Sequence, residues 1–321
     1  FFGGGTPTLM PIYVVEAIMD TIKEVFTLYP EVEITAEANP SSSEIERLSA
    51  FKSAGVNRVS LGAQSLNQDT LNFLERGHTI HDVYRALDVS SGLFNRISAD
   101  FIYGIPNQTS KTWKAELYQI LDLNLSHISA YQLTIEPGTQ FFSRSKKGEI
   151  LTCNEEITAD LYQLTTNLLS EHGYEIYEIS NYAKPNARCQ HNLLYWNAQD
   201  WIGIGPGAHG RFSISENRRW YSQIRRSPDG WLSAVQKNLH GVEIQDEEGE
   251  TEFAKEIILM GLRLSSGINL PDWLIRTNKF LNLDWLEKFK KDGLISMKDN
   301  NIRVTENGRL HLNSIIYKLL S

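Results

Sequence analysis

Apolar positions in the first half of the chain alternate between a helical and an extended spacing. They recur every three or four residues over residues 11–28, which predicts a helix that ends before Pro30, because the residue preceding proline disfavours helical geometry. Residues 31–38 then alternate and are rich in β-formers, and Asn39-Pro40 ends this predicted strand. The same order continues along the chain, with predicted strands at 58–63, 97–105, 128–135 and 174–179 and predicted helices at 69–75, 80–89, 110–123 and 154–172.

One further helix is predicted between the first two strands. Ser43 is followed three residues later by Glu46, which is the capping-box pattern of a helix start. We therefore expect one helix from Ser43 to Ala54-Gly55.

Strand and helix alternate with a repeat of roughly 30 residues, the length of a βαβ unit. Parallel strands joined by crossover helices are the simplest arrangement for such a repeat. Five or six units in series predict an α/β fold with a complete or partial (β/α) barrel. A doubly wound sheet is disfavoured because no dinucleotide fingerprint follows the first strand. In a barrel, ligands bind at the carboxyl ends of the strands.

The pattern changes after residue 180. Residues 181–185 form a predicted loop, residues 231–238 a helix, and the acidic residues of 246–252 a solvated helix start or linker. Amphipathic helices are predicted at 253–264 and 283–291, strands at 293–297 and 302–305, and a last helix at 306–320. This last region resembles a small α+β, winged-helix-like module, which we expect to have a packing role because no basic stripe supports DNA binding. The predicted domains are 1–180, 181–245 and 246–321.

Composition and charge argue against several classes of protein. The 321 residues carry a net charge of −8, which argues against non-specific nucleic-acid binding. No apolar run reaches the length of a membrane span, and no signal peptide is recognisable at the start. Cys153 and Cys189 cannot form a disulfide framework or a metal-binding CxxC cluster, and we expect a reducing, cytoplasmic location.

Polar residues at the predicted strand ends are the candidate ligand-binding groups. Each alone is an ordinary solvated residue, and the glycines alone are an ordinary turn, but a barrel brings all of them to one rim. Glycine permits positive φ and close backbone approach to a ligand, carboxylates suit ribose hydroxyls or an ammonium, and arginine can bind a carboxylate. We therefore predict a site for a zwitterionic nucleoside. Its residues are Gly4, Gly5, Thr6, Glu37, Gln64, Arg76, Asp100 and Gln132.

A second candidate region is rich in aromatic residues. Trp196, Trp201, Trp220 and Trp231 either fill a core or line an apolar pocket. His191 is equally compatible with a ligand or acid/base role and with a hydrogen-bonded structural role.

Several motifs resemble those of one protein family. They are FFGGGTPT (1–8), AEANP (36–40), SLGAQS (60–65), LERGH (74–78), ADFIYGIP (99–106), AYQLTIEPGT (130–139), HNLLYW (191–196) and GIGPGAHGR (203–211). Together they resemble the oxygen-independent coproporphyrinogen III oxidase group of radical S-adenosylmethionine (SAM) proteins over essentially the whole chain. HNLLYW and the compact carboxy-terminal module are more similar to the HemW-type haem chaperones within that group.

The resemblance implies cofactors and site residues. It implies contacts with SAM from Gly4, Gly5, Thr6, Glu37, Gln64, Arg76 and Asp100, with Gln132 and Ala208 as additional candidates. It places His191, Asn192, Tyr195 and Trp196 in a haem-related signature. The family binds a 4Fe–4S cluster through a CxxxCxxC loop that is absent here, and Cys153 and Cys189 do not replace it. We therefore predict no metal ligands in this chain and expect the cluster cysteines upstream of Phe1.

The resemblance leaves two functions open, and with them whether the protein is an enzyme. The favoured one is a haem chaperone whose partners are haem or porphyrin, an unknown haem-acceptor protein and an electron donor. Membrane association is expected only through the acceptor. The alternative is the oxidative decarboxylation of coproporphyrinogen III to protoporphyrinogen IX.

Overall fold

The chain divides into two compact units, Phe1–Cys189 and Gln190–Ser321. A computed structural model describes residues 1–215, 218–277 and 281–320. The domain boundaries predicted after residues 180 and 245 stay predictions.

The first unit is built around a six-stranded sheet. Its strands are β1 (Thr35–Ala38), β2 (Arg58–Gln64), β3 (Arg96–Tyr103), β4 (His127–Gln132), β5 (Glu175–Ile176) and β6 (Asn181–Ala183). Its helices are α1 (Ile12–Val25), α2 (Ser42–Ile45), α3 (Leu48–Ser53), α4 (Gln68–Phe73), α5 (Ile80–Leu93), α6 (Ser110–Asp122), α7 (Gln140–Lys146) and α8 (Glu155–Glu171), and Pro7–Leu9 forms a 3-10 turn.

Parallel pairing dominates this sheet, as the sequence predicts. Strands β1 to β4 pair in parallel in chain order, and Phe2 adds a parallel bridge to Ala36 beside β1. The strand predicted at 174–179 is present but shorter, and it is not paired with a parallel neighbour, although it runs in the same direction as β4. Only β5 is extended there, and it forms an antiparallel pair with β6, which in turn runs antiparallel to β4. Too few residues separate β5 from β6 for the crossover that a parallel pair requires.

The two faces of the sheet differ in chemistry. On one face, alternate residues such as Leu61, Phe101 and Ile128 are buried in a core shared with the helices. Trp113 of α6 is fully buried there, and its indole N–H donates to Thr165 Oγ1 of α8 at 2.7 Å. The other face carries polar side chains, several of them buried as well. They include Thr35, Arg58, Ser60, Ser98, Asp100, His127 and Ser129.

The helix predicted to start at Ser43 is wrong in two respects. The segment forms two short helices, α2 and α3, and the residue that caps α2 is Ser41. Neither helix start shows a capping hydrogen bond from a side chain to the backbone, so the predicted capping box is not formed.

The second unit contains two three-stranded antiparallel sheets among its described residues. Its strands are β7 (His209–Ser215), β8 (Arg218–Ile224), β9 (Val242–Glu248), β10 (Ile268–Asn269), β11 (Ile295–Lys298) and β12 (Asn301–Val304). Its helices are α9 (Gln190–Trp196), α10 (Pro228–Asn238), α11 (Glu250–Gly261), α12 (Leu270–Thr277), α13 (Leu283–Lys291), α14 (Glu306–Arg309) and α15 (Leu312–Leu319).

The terminal hairpin is formed as predicted, by β11 and β12 around Asp299 and Asn300. Two other predictions fail. The last helix is divided into α14 and α15, and the first part of the acidic run lies in strand β9 rather than in a linker or helix start. In no described part of the chain is a helix both long and apolar enough to cross a membrane.

A buried arginine explains how the acidic strand is tolerated. The guanidinium of Arg219 on β8 is 0% exposed and lies 3.1 Å from Glu256 Oε1 and 4.0 Å from a carboxylate oxygen of Glu248. It also donates to Gln199 O at 2.8 Å and lies over the ring of Trp201, 5.3 Å from its centroid. Burial and the neighbouring Glu256 raise the pKa of Glu248, which Arg219 opposes.

Arg219→Ala tests this arrangement. The substitution removes the buried cation between Glu248 and Glu256 and leaves Arg211, 3.3 Å from Glu256 Oε2, as the remaining cation, and breaking a buried ion pair typically costs about 3–5 kcal/mol. We expect a large fall in the urea midpoint of the second unit, measured by tryptophan fluorescence. Arg218→Ala is the matched control, because Arg218 pairs with Glu247 in an exposed ion pair and such pairs contribute little. Equal midpoints for the two variants would contradict the assigned role of Arg219.

Candidate functional site

The glycine segment leaves the sheet at the carboxyl end of β1. Phe2 N donates to Thr35 O at 2.8 Å and Glu37 N donates to Phe2 O at 3.0 Å, which fixes Phe2 as an additional extended residue. Gly4 and Gly5 then adopt φ of 79° and 62°, a region that favours glycine. Gly4 N donates to Glu37 Oε2 at 3.0 Å. The bend therefore faces the Glu37 carboxylate, and both glycines are exposed.

Gln64 ends β2 in an unusual conformation. Its φ is 68°, and the register between β2 and β3 shifts between Leu61 and Gln64. The side-chain amide folds back towards Gly62, where an added Cβ would lie 3.0 Å from Gln64 Nε2 and 3.4 Å from Asn39 Oδ1. The absence of a side chain at Gly62 thus leaves room for two amide groups at this strand end.

Arg76 is exposed and follows helix α4. The loop that carries it is tied to the end of β2, because the buried ring of His78 lies 3.1 Å from Ala63 O through Nε2. Burial lowers the pKa of His78, and the nearby charge of Arg76 lowers it further. A neutral His78 can therefore hold the loop that carries Arg76 without placing a second positive charge near it.

Asp100 lies on the polar face of β3, opposite Ser129 in the register with β4. Burial raises the pKa of Asp100 to about 6. The hydroxyls of Ser129 and Ser60 and the charge of Arg58 oppose this rise, whereas the charge of Glu37 adds to it. Glu37 and Asp100 thus form a pair of acidic groups on the face from which the glycine segment also emerges.

A group of polar residues beside Asp100 was not predicted from the sequence. Its members are Ser129, Tyr131, Asn181 and Glu178. Ser129 Oγ donates to Asn181 Oδ1 at 2.7 Å, and Asn181 Nδ2 donates to Glu178 Oε1. Burial of its hydroxyl and the charge of Asp100 raise the pKa of Tyr131, and hydrogen bonds to Ser129 and Asn181 oppose this. The alternation of Ser129 and Tyr131 along β4 is a signal that could have placed both residues on the face of Asp100.

Gln132 is the last residue of β4 and is exposed. It pairs with Tyr103 at the end of β3, and its Cγ lies 3.7 Å from the position of a Cβ added to Gly104. Gln132 therefore belongs to the same sheet edge as the other predicted residues of the first unit.

The HNLLYW segment forms helix α9 of the second unit, and its side chains begin an aromatic stack. The ring of His191 meets that of Tyr195 edge-on at 4.6 Å, and Tyr195 meets Trp201 at 4.5 Å. Arg211 and Arg219 lie over Trp201 at 5.7 Å and 5.3 Å. The imidazole of His191 therefore packs against Tyr195, Tyr195 packs against Trp201, and the buried Arg219 lies over Trp201.

The remaining motif residues have different surroundings within the second unit. Asn192 is half-buried, whereas Trp196 lines a cavity of about 260 Å³ together with Trp273. Ala208 precedes β7, and its carbonyl accepts from Ile224 N at 2.8 Å. Contact of Ala208 with SAM stays a prediction.

The two cysteines do not form a cluster-binding set. Cys153 Sγ donates to Ile105 O at 2.8 Å, and the buried Cys189 lies 3.6 Å from Glu33 Oε1 through its sulfur. Among the residues that the structure describes, no group of three or more His, Cys, Asp or Glu side chains could hold a metal ion. The three cysteines of a CxxxCxxC motif are therefore not found among the described residues, and binding of SAM by the strand-end groups stays a prediction.

Comparison with known proteins identifies the family. Residues 1–117 match the Radical SAM superfamily, and residues 250–311 match the HemN C-terminal domain. The bovine protein "Radical S-adenosyl methionine domain-containing protein 1, mitochondrial" is 34% identical over 100% of this chain and 75% of its own length. The Escherichia coli protein "Heme chaperone HemW" is 33% identical over 100% of this chain and 83% of its own length.

A solved structure shows the same fold. Coproporphyrinogen III oxidase (HemN) from Escherichia coli superposes with a TM-score of 0.80 over 99% of this chain and 76% of that chain, at 20% sequence identity. This likeness establishes the partial-barrel α/β fold. By sequence and by fold, the chain belongs to the radical SAM proteins, in the group that contains HemW and HemN.

Proposed function

We propose that the protein binds haem and transfers it to an acceptor protein. The observation that carries this proposal is the similarity to a protein named heme chaperone HemW, at 33% identity over the whole chain. The HemN structure, by comparison, is 20% identical. Helix α9 supports the proposal, because it carries a histidine within an aromatic stack.

Haem binding needs an iron ligand and apolar contact with the porphyrin. The neutral imidazole of a histidine is a common haem ligand. His191 is half-buried and its ring orientation is restricted by Tyr195, which in turn packs against Trp201. We propose His191 as the iron ligand, with Asn192, Tyr195 and Trp196 in the surrounding surface.

The first unit offers a complementary site for SAM. The left-handed backbone at Gly4 and Gly5 permits close approach of a ligand, and Thr6 follows directly. Carboxylates suit the ribose hydroxyls and the ammonium group, and arginine suits the carboxylate of the methionyl end. We therefore propose that Glu37 and Asp100 bind the polar groups of SAM, and that Gln64, Arg76 and Gln132 complete the site. SAM and a 4Fe–4S cluster are the cofactors that family membership implies, and together they supply radical chemistry.

A second candidate is the decarboxylation of coproporphyrinogen III. The specific observation in its favour is the HemN-like fold over 99% of the chain, together with the match to the HemN C-terminal domain. Both observations describe the architecture, and the full-length sequence similarity favours the chaperone.

Haem titration tests the proposed ligand. We expect the wild-type protein to shift the Soret band of haem, and His191→Ala to weaken the affinity by at least tenfold, about 1.4 kcal/mol. His240→Ala is the control, because His240 is exposed in the same unit. An unchanged Soret spectrum and affinity in the His191 variant would refute this assignment.

Asp100→Asn should change stability and SAM binding in opposite directions. The pKa of about 6 lies above the ordinary 3.8, so the folded state holds the proton more tightly and Asp100 increasingly opposes folding as the pH rises from 4 to 6. We expect the variant to be more stable at pH 8, by up to roughly 3 kcal/mol, with no gain at pH 4. Urea titrations at both pH values measure this difference.

The same variant should bind SAM about tenfold more weakly in equilibrium dialysis at pH 8, because an amide is a poorer acceptor for ribose hydroxyls. Asp122→Asn, at an exposed position of α6, is the control for both measurements. Undiminished SAM binding by Asp100→Asn would contradict the proposed contact.

Anaerobic turnover separates the two functions. The reduced protein, supplied with its cluster, SAM and coproporphyrinogen III, is expected to form no protoporphyrinogen detectable by chromatography. Product formation at catalytic rates would replace the chaperone proposal by the oxidase.

A further inference from the structure

Glu44 is a buried carboxylate that none of the sequence motifs singles out for a role. It is 4% exposed and lies in the short helix α2, after the loop that follows β1. Its Oε2 accepts from Asn39 N at 2.8 Å and from Thr8 Oγ1. Its Oε1 accepts from Ser41 Oγ at 3.0 Å and from Asn39 Nδ2 at 3.3 Å. Four donors therefore fill the acceptor capacity of one carboxylate.

These donors come from two segments that both adjoin the proposed SAM site. Thr8 belongs to the 3-10 turn Pro7–Leu9, directly after Gly4, Gly5 and Thr6. Asn39 follows β1 directly, two residues after Glu37. Glu44 thus ties the downstream end of the glycine segment to the strand end that carries Glu37.

The guanidinium of Arg47 also binds the 3-10 turn that contains Thr8. Arg47 Nη1 donates to Leu9 O at 2.8 Å and to Thr8 O at 3.2 Å. The 3-10 turn is therefore held by Glu44 through a side chain and by Arg47 through two carbonyls. Hydrogen bonds to charged groups contribute more to stability than hydrogen bonds between neutral groups.

The upstream end of the glycine segment is fixed independently. The N–H and the C=O of Phe2 both form hydrogen bonds with β1, and Gly4 N donates to Glu37. The glycine bend is thus anchored at both ends, although glycine loses more conformational entropy on ordering than any other residue. Ordering before a ligand arrives lowers the entropic cost of binding.

We propose that Glu44 is a positioning residue that preorganises the Gly4–Thr6 backbone for SAM. The inference rests on the proposed SAM site, and Glu44 acts through Thr8 and Asn39 without touching the ligand. In Glu44→Gln, an NH2 group replaces one carboxylate oxygen and the negative charge is removed, so the hydrogen bonds between the two segments become fewer and weaker while the size of the side chain is retained.

Equilibrium dialysis of the full-length protein with radiolabelled SAM tests the proposal. We expect Glu44→Gln to raise the Kd at least tenfold and to accelerate amide hydrogen exchange at Gly3–Thr6 in the absence of SAM. An unchanged far-UV circular dichroism spectrum shows that the variant is folded, and haem binding in the second unit should also be unchanged. Glu46→Gln is the matched control, because Glu46 is exposed in the same segment.

Thr8→Val provides a milder second variant in case Glu44→Gln does not fold. It removes one donor and keeps the carboxylate, and a Kd between those of wild type and Glu44→Gln is expected. Wild-type affinity and exchange rates in Glu44→Gln, or in Thr8→Val if the first variant is unfolded, would overturn the inference. Failure of the wild-type protein to bind SAM would instead overturn the underlying SAM site.

Discussion

Parallel pairing of consecutive strands is the constraint on which the first unit depends. Phe2 and strands β1 to β4 run in one direction, so their carboxyl ends meet at one edge of the sheet. The register brings Glu37 and Gln132, which are far apart in sequence, to that edge and places Asp100 further back on β3. The helices bury the opposite face, and the polar face is left to carry chemistry.

The two units differ in how completely a buried charged group is compensated by its neighbours. Arg219 is compensated by Glu256 and a backbone carbonyl, so its cluster fixes the packing of the second unit. The burial of Asp100 is offset in part by the hydroxyls of Ser129 and Ser60 and by the charge of Arg58, and its pKa still rises to about 6. A carboxylate left partly uncompensated gains most from a ligand that donates hydrogen bonds, which agrees with a binding role for Asp100 rather than a structural one.

Local periodicity was sufficient to predict several helices, such as α1, α5, α6 and α8, and the parallel strands β1 to β4, because each is encoded within its own segment. Helix α13 has the predicted bounds, Leu283–Lys291. The failures depend on distant partners. Residues 41–46 contain two overlapping Ser-x-x-Glu patterns, and contacts of Glu44 with Thr8 decide how the segment folds. Strand β9 lies beside β8, whose Arg219 is opposite Glu248 and whose Arg218 forms an ion pair with Glu247, and local charge patterning cannot reveal these partners.

The site residues that could be predicted also differ from those that could not in whether they depend on distant partners. Glu37 and Asp100 were predicted as strand-end residues, and the structure places Glu37 near the end of β1 but Asp100 within β3, whereas Asn181 was missed because the chain reverses into an antiparallel β6 that the repeat does not predict. The glycine segment shows why sequence gives only half of such a site. Glycine supplies the left-handed conformations locally and would by itself make the segment flexible. The contacts that order it come from Glu37, Glu44 and Arg47, so its suitability for a ligand is a property of the folded sheet edge.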